Sequence, residues 1–175
     1  MSRFQYGAGA GEYTGRMVLS LASLAFQDGG SIPSKFTCDD QRELSPALSI
    51  AGVPAGVVSL ALIMDDPDIP AHVKRPDFQE FDHWVLFDLP AGTREIPEGD
   101  ISAGTTGLNS AGNSAYTGPC PPPQYEPSEH RYIFTVYALD TMLGLSASTT
   151  KAQLIAAMAG HVIAQAQLLG RYKRQ

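Results

Sequence analysis

Three strand-length apolar runs constrain this chain more than any other feature. They are residues 57–64 (VVSLALIM), 83–88 (HWVLFD) and 131–139 (RYIFTVYAL). Each is too short for a packed helix and rich in β-branched or aromatic residues. The first is almost unbroken, as in a strand covered on both faces. The chain therefore needs a central sheet with material on either side. Shorter strand candidates come earlier, at 17–26, after a turn within 29–36, and at 45–50 before the 52–56 turn. No internal repeat is visible. At 175 residues the chain fits one domain with its own core. We expect that domain to span residues 17–175, preceded by a loose Gly-, Ala- and Tyr-rich extension over residues 1–16.

One helix is expected at the C-terminus. Thr150-Lys151-Ala152-Gln153 is a capping box. Leu154, Ala157, Met158, His161, Val162, Leu168 and Leu169 follow at spacings that suit one apolar helical face, with Gly170 as the stop. His161 reads as a core or interface residue on that face. Such a face, with exposed core strands, makes a homodimer plausible.

Charge narrows the partners. The net charge is −6, and only 12 residues are Lys or Arg. Nucleic acid normally needs a basic face, so it is not expected. An anion can still be held by a local set of directed donors. No apolar run reaches the length of a membrane span, so no integral membrane association is expected. The run at 17–26 is weighed as a signal peptide. It alternates and lacks a clear small-residue cleavage site, so a strand in a cytoplasmic protein is the expectation. Cys38 and Cys120 do not make a disulfide framework. They could pair, but two free thiols in a reducing compartment is the preferred reading.

The residues able to carry chemistry gather where strands meet long Gly- and Pro-bearing loops, at 67–82 and 104–129. His83 and His130 read as opening two of the strands, and alternation puts Tyr132 on the same face as His130. Asp66 ends the first apolar strand in Asp66-Pro67-Asp68-Ile69-Pro70, where two prolines stiffen the backbone. A carboxylate beside an imidazole fixes its tautomer and favours its charged form, which makes an anion receptor. The stretch Tyr116-Thr117-Gly118-Pro119-Cys120-Pro121-Pro122-Pro123 supplies a stiff loop in which Gly118 allows close backbone approach.

Together these blocks resemble the phosphatidylethanolamine-binding protein family, which includes Raf kinase inhibitory protein and plant flowering-time regulators. The carriers are D-P-D-I-P at 66–70, H-W at 83–84, G-P-C-P-P at 118–122 and H-R-Y at 130–132. I-P-S-K-F-T-C-D at 32–39 and the L-L-G-R-Y ending look most like the bacterial and archaeal branch. The resemblance spans about residues 17–172. It implies a mainly β fold with peripheral helices: a large central antiparallel sheet packed on a smaller one, with a C-terminal α-helix. It also implies a pocket for anions or phospholipid head groups, built from Asp66, Pro70, His83, Gly118, Cys120, Pro121, His130 and Tyr132. Trp84 would pack beside His83, Tyr116 is a further neighbour, and Asp68 fixes the turn. The chain departs from the family at Ile69, usually Ala, at Ser128, usually Gly, and in its longer 71–82 loop.

The resemblance implies a non-enzymatic binder of a phosphate-bearing group, with a kinase or protease as a protein partner it could modulate. No cofactor or metal is expected. One alternative is a metal-dependent enzyme using Asp66, His83 and His130 as ligands. A serine hydrolase is disfavoured, because residues 107–112 (GLNSAG) miss the G-x-S-x-G elbow by one position.

Overall fold

The computed structural model describes residues 18–174 apart from 41, 43, 100 and 101. The extension expected over residues 1–16 lies outside the described residues, as does Met17.

The apolar runs become the middle of a sheet because only strands covered on both faces can bury them. In chain order the elements are β1 (Ser20–Ala22), β2 (Gly30–Ser31), β3 (Leu48–Ala51), β4 (Ser59–Asp66), β5 (Phe81–Pro90), β6 (Glu95–Ile96), β7 (Thr105–Thr106), β8 (Glu129–Leu139), α1 (Lys151–Met158) and β9 (Val162–Lys173). Short 3-10 turns sit at Ser34–Phe36 and Ala71–Val73. Among the described residues, β1, β3 and β6 form a small sheet. The large sheet runs β2-β9-β8-β4-β5-β7 and is antiparallel except for the short β2–β9 pair. The fold is therefore mainly β, with two packed sheets and one C-terminal helix, as expected.

Alternation along β4 explains both layers. Leu60, Leu62 and Met64 face the small sheet, where they meet Leu21, Ile50, Trp84, Phe134 and Val136. Ala61 and Ile63 face the other way, under Leu154 and Met158 of α1. The helix starts where expected. The Thr150 side chain accepts from the Gln153 amide, and the Gln153 side chain accepts from the Thr150 amide.

The C-terminal element corrects the sequence reading. The helix lasts only from Lys151 to Met158, and residues 162–173 form β9 instead. Gly160 takes φ +82°, which turns the chain out of the helix. Ala164, Ala166, Leu168, Gly170 and Tyr172 then point inward at period two. Pairing with β8 along nearly its whole length outweighs the local helical spacing. Gly170 is not a helix stop. A Cβ there would lie 2.6 Å from the Ile32 side chain, so glycine lets β9 pass beneath it. His161 is not a core residue; it is exposed, and its Nδ1 pairs with Asp140 at 2.8 Å. Of the two grounds for the dimer expectation, the long apolar helical face is reduced to the short α1, and the other, exposed core strands, is untouched by this.

The preferred reading of two free thiols is also overturned. Cys38 and Cys120 form a disulfide across 82 positions of sequence. The Cys38 amide donates to the Pro119 carbonyl at 3.1 Å, which brings the proline loop against the segment after the first 3-10 turn. No helix among the described residues is long and apolar enough to cross a membrane.

Candidate functional site: a carboxylate and two imidazoles at one end of the large sheet

β4, β5 and β8 are neighbours, so the ends of three strands meet. Asp66 is the last residue of β4. His83 and His130 were expected to open their strands, but each lies just inside one, since β5 begins at Phe81 and β8 at Glu129. The register between β4 and β5 explains the place of His83. It steps from Met64↔Trp84 to Asp65↔Asp82, so β5 carries one residue more than β4 there. The resulting β-bulge re-aims a side chain. Trp84 enters the core, while His83 turns to the site and packs against the rings of Phe81 at 4.7 Å and Tyr132 at 5.2 Å.

The polar groups form a chain. His130 Nδ1 donates to Asp66 Oδ2 at 2.7 Å. His83 Nδ1 donates to the Thr117 carbonyl at 2.7 Å, and its Nε2 stands 3.9 Å from Asp66 Oδ2. The Asp68 amide donates to Asp66 Oδ1 at 2.8 Å, closing an Asx turn over Pro67. Burial pushes the Asp66 carboxyl up. The hydrogen bond from His130 and the approach of His83 more than offset that, and its pKa ends below the usual carboxylate range. His130 is 1% exposed. With Nδ1 committed to Asp66, its Nε2 is buried without a hydrogen-bond partner among the described residues.

A cavity of about 150 Å³ opens over these groups. Of the expected residues, Asp66, Pro70, His83, Gly118, Cys120 and His130 line it. Pro121 does not; it is buried, and Pro122 takes the wall position. Tyr132 lies beneath the two imidazoles, fully buried, its ring stacked on that of His130 at 6.4 Å. Burial and the charge of Asp66 push its hydroxyl far above the ordinary tyrosine value, so it stays protonated. Trp84 and Tyr116 stand further back in the core, edge to face at 5.5 Å, with the Tyr116 hydroxyl bonded to the Phe36 carbonyl. Gly118 is also a packing position, since a Cβ there would sit 2.9 Å from the Phe36 carbonyl oxygen and Thr37 Cα.

Sequence reasoning missed Ile69, Phe81, Thr117 and Pro122 in the wall. Ile69, Thr117 and Pro122 had a signal, since each adjoins a residue already singled out, and Phe81 stands two positions before His83. It also missed Asn109. That side chain donates to the Ala115 carbonyl and the Thr117 hydroxyl, and accepts from the Ala111 and Asn113 amides. The GLNSAG segment is thus the brace of the loop that carries Thr117. Asp68 stays out of the cavity. It binds the Arg131 guanidinium through two bonds of 2.7 and 2.8 Å and accepts from the Arg131 amide, pinning the turn to β8.

Asp66, His83 and His130 are not the side chains with metal-ligand spacing. Among the described residues, Asp65, Glu80 and Asp82 are the group that meets it, and the Lys151 ammonium already lies among them. The metal-enzyme alternative therefore gains nothing from the geometry.

Residues 22–173 match the family model described as Phosphatidylethanolamine-binding protein. A UPF0098 protein of Methanothermobacter thermautotrophicus is 42% identical over 162 residues, covering 89% of this chain and 99% of its own length. A UPF0098 protein of Chlamydia muridarum is 39% identical over 156 residues, with the same two coverages. Among solved structures, a phosphatidylethanolamine-binding protein homologue from Chlamydia trachomatis superposes with a TM-score of 0.83 at 39% identity, covering 91% of this chain and 99% of that one. E. coli YbcL shares the fold, with a TM-score of 0.77 at 23% identity over 90% of this chain and 99% of its own.

Proposed function

Since this chain belongs to the phosphatidylethanolamine-binding protein family, we propose that it binds anionic, phosphate-bearing groups without transforming them, in the pocket over Asp66, His83 and His130. The observation that supports this reading best is the lone ring nitrogen of His130. A buried polar atom without a partner costs stability unless something fills the need. His130 lines a cavity able to admit a small ligand. Protonated, it donates to an anion; neutral, it accepts from a protonated phosphate oxygen. Both forms suit phosphate, which carries oxygens of both kinds near neutral pH. The wall above is apolar, from Ile69, Pro70, Phe81 and Pro122. A phosphomonoester or head group would place its charge at the base and its short organic arm against that wall. In the same reading a kinase or protease is engaged when it presents such a group at the pocket mouth.

Titration with phosphate and with phosphoethanolamine, followed on the imidazole resonances by NMR, tests this. The His130 and His83 rings are expected to shift together with one affinity, ahead of His72 and His161. Unmoved rings at about ten-millimolar ligand, where even a dissociation constant of about 1 mM gives near saturation, would refute the reading.

A further inference from the structure

Behind the pocket, on the opposite face of the sheet, lies a second charged cluster. Lys151 is the first residue of α1, and its side chain is 14% exposed. Its ammonium donates to Asp65 Oδ1 at 2.8 Å, to Asp82 Oδ1 at 3.1 Å and to Glu80 Oε1. Asp65 and Asp82 face each other in the β4–β5 register. Each adjoins a pocket residue: Asp65 precedes Asp66, and Asp82 precedes His83. Glu80 and Asp82 flank Phe81, which lines the cavity and pairs with Asp66 in the register. Alternation sends 65 and 82 to the helix side and 66 and 81 to the pocket side. One cation therefore touches two of the three strand ends that carry the polar base of the pocket, those of Asp66 and His83.

Three carboxylates whose ligand atoms lie within 4.8 Å of one another repel unless a cation sits among them. Burial pushes the Asp65 carboxyl up to about 6, with Lys151 pulling it down and Glu80 and Asp82 pushing it further up. The groups facing this point are Asp65 from β4, Glu80 just before β5, Asp82 from β5, Lys151 from α1, and the Tyr137 ring from β8.

We propose that Lys151 is a positioning residue for the anion pocket: from the far face of the sheet its ammonium clamps Asp65 to Asp82 and thereby fixes the separation of Asp66 and His83. The inference rests on the anion-binding reading above. An ammonium that only anchored α1 would affect stability and leave ligand affinity alone. A clamp ties affinity to the charge at this point.

The test compares Lys151→Met and Lys151→Arg with the wild-type protein. Inorganic phosphate is titrated by calorimetry at about pH 7.5 and about pH 5, on either side of the raised Asp65 value of about 6. Comparison with wild type at each pH removes the contribution of His83 and His130 themselves. K151M is expected to weaken phosphate binding about tenfold at the higher pH, as loss of a supporting partner commonly does. That deficit narrows at the lower pH, where protonation relieves the repulsion among Asp65, Glu80 and Asp82. K151R, which keeps the charge, stays within about threefold of wild type. Wild-type affinity in K151M, equal losses in both variants, or a deficit identical at the two pH values would each overturn the proposal. If K151M does not fold, Asp82→Asn carries the test, since it slackens the clamp on the strand of His83. Its phosphate affinity must fall by at least about threefold, and an unchanged affinity overturns the proposal. If the wild-type protein binds no phosphate, it is the anion-binding reading that fails. The clamp is then judged on the ligand-free protein: K151M must shift the His83 ring resonance and K151R must not.

Discussion

Asp66 is the residue on which the site turns. It accepts from His130 and from the Asp68 amide, faces His83, and is 4% exposed. Its pKa lies below the ordinary carboxylate value. A depressed carboxyl pKa contributes stability that is present above the unfolded value, near 4, and is lost as pH falls through the folded value. Asp66→Asn has no proton to take up. The stability difference between wild type and this variant should therefore be larger at about pH 7 than at about pH 3, measured by denaturant unfolding. An equal difference at both would mean that the carboxylate is not held in its charged form. Asp66, His83 and His130 were readable from sequence because they are polar residues at the ends of strands otherwise built of hydrocarbon. The exact wall was not. Pro121 and Pro122 are adjacent, chemically identical and separated in role only by which way the loop turns.

At the scale of elements, three long-range relations escaped the sequence. Residues 162–169 fit a helical face as well as a strand, and only the presence of β8 alongside decides for β9. The bulge at His83 is likewise a relation between strands, without a mark in β5 alone. The Cys38–Cys120 disulfide is a third such relation, and it fastens the loop bearing Gly118 and Cys120 to the segment after Phe36. Closing a loop of 82 positions restricts the unfolded chain by about 4–5 kcal/mol in the chain-entropy picture, and removing such a bond commonly costs about 2–5 kcal/mol. Cys38→Ser with Cys120→Ser should lose stability within that range and bind phosphate more weakly, because Cys120 is part of the wall. A double variant as stable as wild type under oxidising conditions would show that the loop is held by its other contacts.

For the whole molecule, the two-sheet layering follows from β4, whose side chains serve both cores and whose last two residues, Asp65 and Asp66, serve two charged clusters on opposite faces. A chain of net charge −6 can bind an anion on these terms, since attraction comes from donors fixed at one point and not from the field of the whole surface. Crystals grown without phosphate and then soaked in it test this most directly. The account predicts tetrahedral density in the cavity, with one oxygen within hydrogen-bond distance of His130 Nε2 and the His130–Asp66 contact intact. Phosphate found only at surface arginines and lysines, with the ring nitrogen of His130 still facing an unfilled or water-filled cavity, would contradict it.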